Sequence, residues 1–303
     1  MYKGNGFRVI YLTVIFGKCP FFTIRLKAGA LYLCNFIPME SFQLIPPSAP
    51  LAPYVRNYWF LTCGPSDEPQ RIIPEGCVSL VFHRRDRLFF VGSGDFQPHS
   101  FLCGQASAHY DLRQSGEVDM IHVTFRPFGA RMFFGMPVVE ARGLTVPVDA
   151  LGDKGWTELE ERLNGEPDNR RCVGLIEEYL LQRFSRAKAY NIGRMDAAVR
   201  AIDAGETDVR RLAAVSCLGY KQFKRVFAEY VGANPRDFLR VVRFQRALYL
   251  KQHDPETTLV QLAADAGCYD QAHLTREFKA FSGYTPGEYF SVCDPYSDYF
   301  TSP

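Results

Sequence analysis

The feature that most constrains this chain is an imperfect internal repeat near its C-terminal end. Placed 50 residues apart, Thr207, Val209, Leu212, Ala213 and Ala214 fall on Thr257, Leu259, Leu262, Ala263 and Ala264. Placed 51 residues apart, Phe223, Phe227, Gly232, Pro235 and Phe238 fall on Leu274, Phe278, Gly283, Pro286 and Tyr289. One extra residue therefore separates the two matching blocks. Turns absorb an insertion and packed helices do not, so the slip locates a helix-turn-helix joint in each copy. An α-solenoid would need three or more shorter repeats, which the chain lacks.

Local signals agree. Thr207 and Thr257 are each placed to N-cap a short helix, and Asp270 to cap the helix after the second turn. In that helix Leu274, Phe278 and Phe281 recur at i, i+4 and i+7, as Phe223, Phe227 and Tyr230 do in its counterpart. The opposite faces are polar: Lys221, Lys224, Arg225 and Ala228 in the first copy, and Gln271, Ala272, Thr275, Arg276 and Lys279 in the second. Asn234-Pro235 and Thr285-Pro286 each put a capping residue before a proline at the first helical position. Between the copies, PRDFLRVVRFQRALYLKQH holds good helix formers and no breaker after Pro235 and predicts one long joining helix. Arg240, Arg246 and Lys251 read as solvated charges on its outer face.

These residues resemble the AraC/XylS family of bacterial regulators. The likeness is carried by LAAVSCLGYKQFKRVFAEYVGANPRDFLRVVRFQRAL, by LVQLAADAGCYDQAHLTREFKAFSGYTPGEYF, by Arg243 and Ala247 in the joining helix, by the Gly267 turn and by the Gly283–Pro286 ending. It covers about a hundred residues. The resemblance implies a transcription regulator or activator in the cytoplasm, whose two recognition helices enter successive major grooves on one face of double-stranded DNA. It places base reading on Lys221, Lys224 and Arg225 in the first unit and on Gln271, Ala272, Thr275 and Arg276 in the second. An arginine can give two donors to guanine O6 and N7, glutamine can pair with adenine, and Thr275 and Ala272 can touch a thymine methyl. Lys279, Arg236 and Arg240 are the nearby candidates for holding phosphates. A small-molecule effector, a homodimer and a contact with RNA polymerase are also implied.

Charge supports a split between the halves. The whole chain carries +2, but residues 41–185 carry a net −4 and residues 186–291 a net +4, which favours a polyanionic partner for the second half. From Ser41 to Asp149 the sequence turns to short Val, Ile, Phe and Tyr runs broken by Gly and Pro, including YVRNYWFLTC, CVSLVFH, RLFFVG, HYDLRQ and DMIHVTFRP. These predict strands of a sandwich or barrel. WTELEERL and NRRCVGLIEEYLLQRF follow with helical spacing. The expected class is α+β in two domains: a mainly β, cupin-like barrel with flanking helices, then an all-α domain of two helix-turn-helix units. The expected boundaries are 41–185 for the effector or dimerisation domain, 186–194 for a linker, 195–291 for the DNA-binding domain and 292–303 for a tail. The cupin likeness rests on PEGCVSLVFH and VTFRPFGARMFFG.

Residues 1–40 are aromatic and basic without periodicity, and Lys18, Arg25 and Lys27 break the apolar run short of a membrane span. Translation is expected to begin at Met39. The nine scattered cysteines form no CxxC pair and read as reduced thiols. His83, His99, His109 and His122 include no His-x-His, so neither a metal nor another cofactor is expected. Gly92-Ser93-Gly94-Asp95 reads as a hairpin turn, and no nucleophile and base stand together. Catalysis is not expected; the competing reading is a β-barrel enzyme or ligand carrier whose helical half makes protein contacts. If the barrel holds an effector, Trp59, Phe82, His83, Arg126 and Phe128 are the candidate contacts.

Overall fold

A computed structural model describes residues 8–9, 39–184, 190–293 and 295–301. Most of the N-terminal extension, and with it the expectation about where translation starts, lies outside the described residues. The protein is α+β, with a β-rich domain followed by a helical one.

Among the described residues ten strands form two sheets. They are β1 (Arg8–Val9), β2 (Met39–Ile45), β3 (Val55–Cys63), β4 (Gln70–Ile72), β5 (Ser79–His83), β6 (Leu88–Phe90), β7 (Ser100–Cys103), β8 (Tyr110–Gln114), β9 (Val118–Phe125) and β10 (Thr145–Pro147). The larger sheet has the order β10-β7-β5-β9-β3-β2 and the smaller β1-β4-β8-β6; all pairings are antiparallel except β1 with β4. Side chains alternate across a strand, so the larger sheet has two different faces. One carries Tyr58, Phe60, Leu80, Phe82, Ile121 and Val123 and packs under helices α1 (Gly155–Asn164) and α2 (Asn169–Arg183), with Trp156, Leu159, Ile176 and Leu180 filling the space between. The other carries Trp59, Leu61, Val81, Phe101 and Met120 and faces Leu88 and Leu112 of the smaller sheet.

The helical domain opens with α3 (Ile192–Asp203), whose first turn falls within the stretch read as linker. Then come α4 (Val209–Val215), α5 (Tyr220–Val231), α6 (Pro235–His253), α7 (Leu259–Asp265), α8 (Gln271–Ser282), α9 (Pro286–Val292) and the short α10 (Asp298–Thr301). Helix α6 is the long joint that the sequence implies. Its first turn closes the first unit, where Phe238 meets Phe227 at 5.5 Å. Its middle enters the second unit, where Phe244 meets Phe278 at 5.0 Å and Phe281 at 5.5 Å.

The caps of the two short helices sit one residue later than expected. Asp208 accepts from the Arg210 amide at 2.7 Å, and Thr258 from the Gln261 amide at 3.3 Å. Thr257 is taken out of the role because its hydroxyl bonds Asp254. Asp270, Asn234 and Thr285 cap as expected, Thr285 in a full capping box with Glu288. The slip in the repeat also has a visible form: four residues, 216–219, join α4 to α5, and five, 266–270, join α7 to α8. Both turns pass through a left-handed residue, Gly267 at φ 79° in the second and Cys217 at φ 52° in the first.

Candidate nucleic-acid interface and interior cavity

Helices α5 and α8 each bury one face in their unit and offer the other to solvent. Lys221, Lys224 and Arg225 are exposed on α5; Gln271, Ala272, Arg276 and Lys279 are exposed on α8, with Thr275 half-buried beside them. Thr275 spends its hydroxyl proton on the Gln271 carbonyl at 2.9 Å. Arg225 lies 4.0 Å from Glu229 on the next turn, a loose pair that leaves it mostly in water. Lys224 rests 5.7 Å from the ring centroid of Tyr220. Arg210, Arg236 and Arg243 line a groove between α4 and α6, which concentrates positive charge beside α5.

Three basic residues of α6 read as solvated are instead engaged. Arg240 donates to both carboxylate oxygens of Glu277 at 3.1 Å, tying α8 to α6. Arg246 donates to the Ile202 and Asp203 carbonyls at 3.0 Å, at the end of α3. Lys251 donates to the Thr257 carbonyl at 2.8 Å. Each satisfies carbonyl or carboxylate oxygens that another element leaves open. Glu277 also takes the Nε2 proton of His273 at 3.2 Å, while His273 Nδ1 accepts from the Tyr269 amide. Tyr269, 94% exposed where α8 begins, is not among the residues the sequence singles out; its place just before the Asp270 cap is the signal that could have found it.

The β domain grips α5 and α8 at equivalent places. Gln105 Nε2 donates to the Val231 carbonyl at 3.0 Å, at the end of α5, and Arg71 donates to the Ser282 carbonyl at 3.0 Å, at the end of α8. Val231 and Ser282 are 51 residues apart and so correspond in the repeat. The glycines that follow them, Gly232 and Gly283, are left-handed at φ 84° and 78°. A Cβ there would come within 2.9 Å of Val138 and 2.8 Å of Arg71, so these positions need glycine for contact as well as conformation. Arg131 with Glu229 at 3.0 Å and Arg142 with Asp237 at 2.6 Å add ion pairs across the same boundary.

Between the two sheets lies a cavity of about 140 Å³. Its walls are largely apolar, from Trp59, Leu61, Ile72, Val81, Phe101 and Met120, with Gln70, Glu75, Gln114 and Asp298 among the polar groups. Trp59 stacks on His122 at 4.2 Å. Burial holds the His122 imidazole down to about 3 and that of His83 to about 4, and pushes the Cys77 and Cys103 thiols up to about 11. All four are uncharged at neutral pH.

Of the sequence candidates for an effector contact, Trp59 is on this cavity. Phe82 is on the opposite face of its sheet, among the residues under α1 and α2. His83 ends β5 with Nε2 3.1 Å from Gln97 Oε1, behind the cavity wall. Arg126 donates to the Ala52 carbonyl at 2.8 Å and shares with Phe128 a separate cleft against α3. No group of His, Cys, Asp or Glu able to hold a metal is present among the described residues.

Residues 212–291 match the sequence family described as a helix-turn-helix domain. The C-terminal domain is thus a helix-turn-helix domain. Residues 43–147 match a domain of unknown function, DUF6597. An uncharacterized HTH-type transcriptional regulator of Haemophilus influenzae is 28% identical over 81 residues, 27% of each chain, so the match spans about a quarter of that relative. Among solved structures, ToxT of Vibrio cholerae overlays 77% of this chain and 98% of its own at a TM-score of 0.43 and 11% identity. The AraC-like transcriptional activator CuxR overlays 78% and 80% at a TM-score of 0.18 and 9% identity. Among the described residues no helix is long and apolar enough to cross a membrane.

Proposed function

We propose that this chain is an AraC-type transcription regulator, that it binds a specific DNA site through α5 and α8 together, and that its β domain senses a small molecule. The observation that carries the DNA reading is the pair of exposed polar and basic faces on two equivalent helices, both anchored to α6. Lys221, Lys224 and Arg225 read one groove segment; Gln271, Ala272, Thr275 and Arg276 read the next; Lys279 and Arg236 hold phosphates. Ala272 offers only a methyl, and Thr275 presents a hydroxyl already bonded to its own helix, so the second segment depends most on Gln271 and Arg276. Double-stranded DNA is the partner. A second copy of the chain and RNA polymerase enter the proposal on the family resemblance alone.

The sensing half rests on how residues 73–77 are placed. Ile73, Glu75 and Cys77 line the cavity. Between them, the Pro74 carbonyl accepts from Gln245 of α6 at 2.8 Å and the Gly76 carbonyl accepts from Gln105 at 2.9 Å. Gln105 also holds the end of α5. One short strip thus meets the cavity with its side chains and the DNA-binding domain with its backbone.

Selection of bound duplexes from a random pool by the purified protein tests the first half. The expected outcome is a two-part site, with Arg276→Ala losing ~1–3 kcal/mol at one base pair and relaxing selectivity there. Equal binding of that variant to the site and to its single-base changes would count against reading by Arg276. Repeating the selection with cell-extract metabolites tests the second half: a shift in DNA affinity supports sensing, and unchanged affinity throughout contradicts it.

A further inference from the structure

The cavity has a chemical character of its own. Among the described residues Lys and Arg are absent from its lining, whereas two carboxylates, Glu75 and Asp298, are part of it. The other polar wall groups are neutral amides, a serine, Tyr110 and His122, with the thiols of Cys63, Cys77 and Cys103. Glu75 and Asp298 repel each other, and burial pushes both carboxyl groups above the ordinary range. Arg56 stands behind them, but its Nη1 donates to the Asp298 carbonyl rather than to either carboxylate, at 2.9 Å. Gln114 is 7% exposed and lines the same space, and its Oε1 has no hydrogen-bond partner. The wall thus offers acceptor oxygens at Glu75, Asp298 and Gln114, against one unpartnered donor, Gln70 Nε2. A buried acceptor without a donor is destabilising, and more so if charged. The remaining walls are aromatic and aliphatic, and a cavity of about 150 Å³ with such walls takes a benzene-sized molecule.

We propose that the barrel cavity binds a compact, largely apolar primary amine, whose ammonium group seats at Glu75 and Asp298 and whose apolar body lies against Trp59 and Phe101. The inference rests on the reading of the β domain as a sensor and names its ligand class. A carboxylate of the same shape would meet two acids and no cation, and a neutral alcohol would supply one donor where the ammonium supplies three. Asp298 belongs to α10, whose neighbours Ser297 and Tyr299 bond Gln245 of α6 at 2.9 Å and Asp203 of α3 at 2.8 Å. An amine drawn to Asp298 thus pulls on the segment that fastens the cavity to the DNA-binding helices.

Calorimetric titration of the full chain with benzylamine, benzyl alcohol and benzoate tests this, with Trp59 fluorescence as a second readout. The expected result is saturable binding of the amine at least tenfold tighter than the alcohol, and benzoate weaker still. Glu75→Gln and Asp298→Asn should each remove most of the amine's advantage while the alcohol binds as before, which shows the cavity intact. Benzoate or alcohol binding as tightly as the amine overturns the proposal, as does saturation by none of the three; neither variant needs to fold for that ranking. DNA binding on the same preparation separates the two failures: selective DNA binding with no amine preference removes the ligand class and leaves the regulator standing.

Discussion

The left-handed turn residues make the clearest residue-scale test, because the two units solve one backbone problem with different side chains. Gly267 adopts φ 79° at no steric cost, whereas Cys217 adopts φ 52° with a Cβ. The nearest atom to a Cβ at Gly267 is Arg243 Cδ at 3.7 Å, so packing does not object. Gly267→Ala should therefore cost ~1 kcal/mol, purely from conformation. Cys217→Gly should be neutral to mildly stabilising. Thermal unfolding of both variants checks the sign. Acid sensitivity belongs at the same scale. His83 and His122 are held neutral by burial, with folded values of about 4 and about 3 against ~6.5 in an unfolded chain. Below that pH the unfolded state binds more protons, so stability rises with pH across the window and is lost as pH falls from ~6.5 toward about 4. Glu75 and Asp298 act in the opposite direction, so the histidines show in a difference. Between pH 6 and pH 4.5 the wild type should lose more stability than His83→Gln/His122→Gln, by up to ~1.4 kcal/mol per pH unit for each histidine. Parallel denaturant midpoints would contradict it.

At the scale of elements, α6 carries three duties: it closes the first unit through Phe238, fills the second through Phe244 and clasps α8 through Arg240 and Glu277. Phe244 is fully buried between Phe278, Phe281 and Tyr289. Phe244→Ala should cost ~3–5 kcal/mol and loosen the second unit before the first. Glu277→Ala, which strips Arg240 and His273 of their shared acceptor, should cost about 1–3 kcal/mol, because Arg240 keeps partial access to water. Amide exchange resolved by unit distinguishes a local effect from a global one. The repeat made these helices legible in the sequence, since a 3.6-residue apolar period with caps and a one-residue slip has few other solutions. The cap shift from Thr257 to Thr258 was not legible, because it depends on a hydroxyl finding Asp254 in space. Likewise the strands around Trp59 and Phe82 could be read as strands, yet which parity faced the cavity awaited the register of β5 against β9. Phe82 pairs with Ile121, on the face under the helices.

At the scale of the whole molecule, the β domain and the tail do what the sequence split into parts did not suggest. The stretch set apart as a tail contains Tyr296, Ser297 and Tyr299, all buried, with Ser297 bonded to Gln245. Gln245 is itself fully buried inside α6 and joins the tail to the Pro74 carbonyl of the β domain. Nothing in YSDYF announces burial, because its partners are distant in sequence. Gln245→Leu leaves the Pro74 carbonyl without its donor and the Ser297 hydroxyl proton without its acceptor, so it should cost ~1–3 kcal/mol and weaken communication between the domains. The central claim is that α5 and α8, held by α6 and gripped at corresponding ends by Gln105 and Arg71, read one face of the duplex as a rigid pair. The direct measurement is affinity for the selected site before and after inserting five base pairs between its two parts, half a helical turn. A rigid pair should lose one unit's base contacts, a fall of roughly 10²-fold at ~1–3 kcal/mol per contact. Insertion of a full turn's worth should not restore it, because α6 has fixed length. Undiminished affinity after the half-turn insertion would contradict the account.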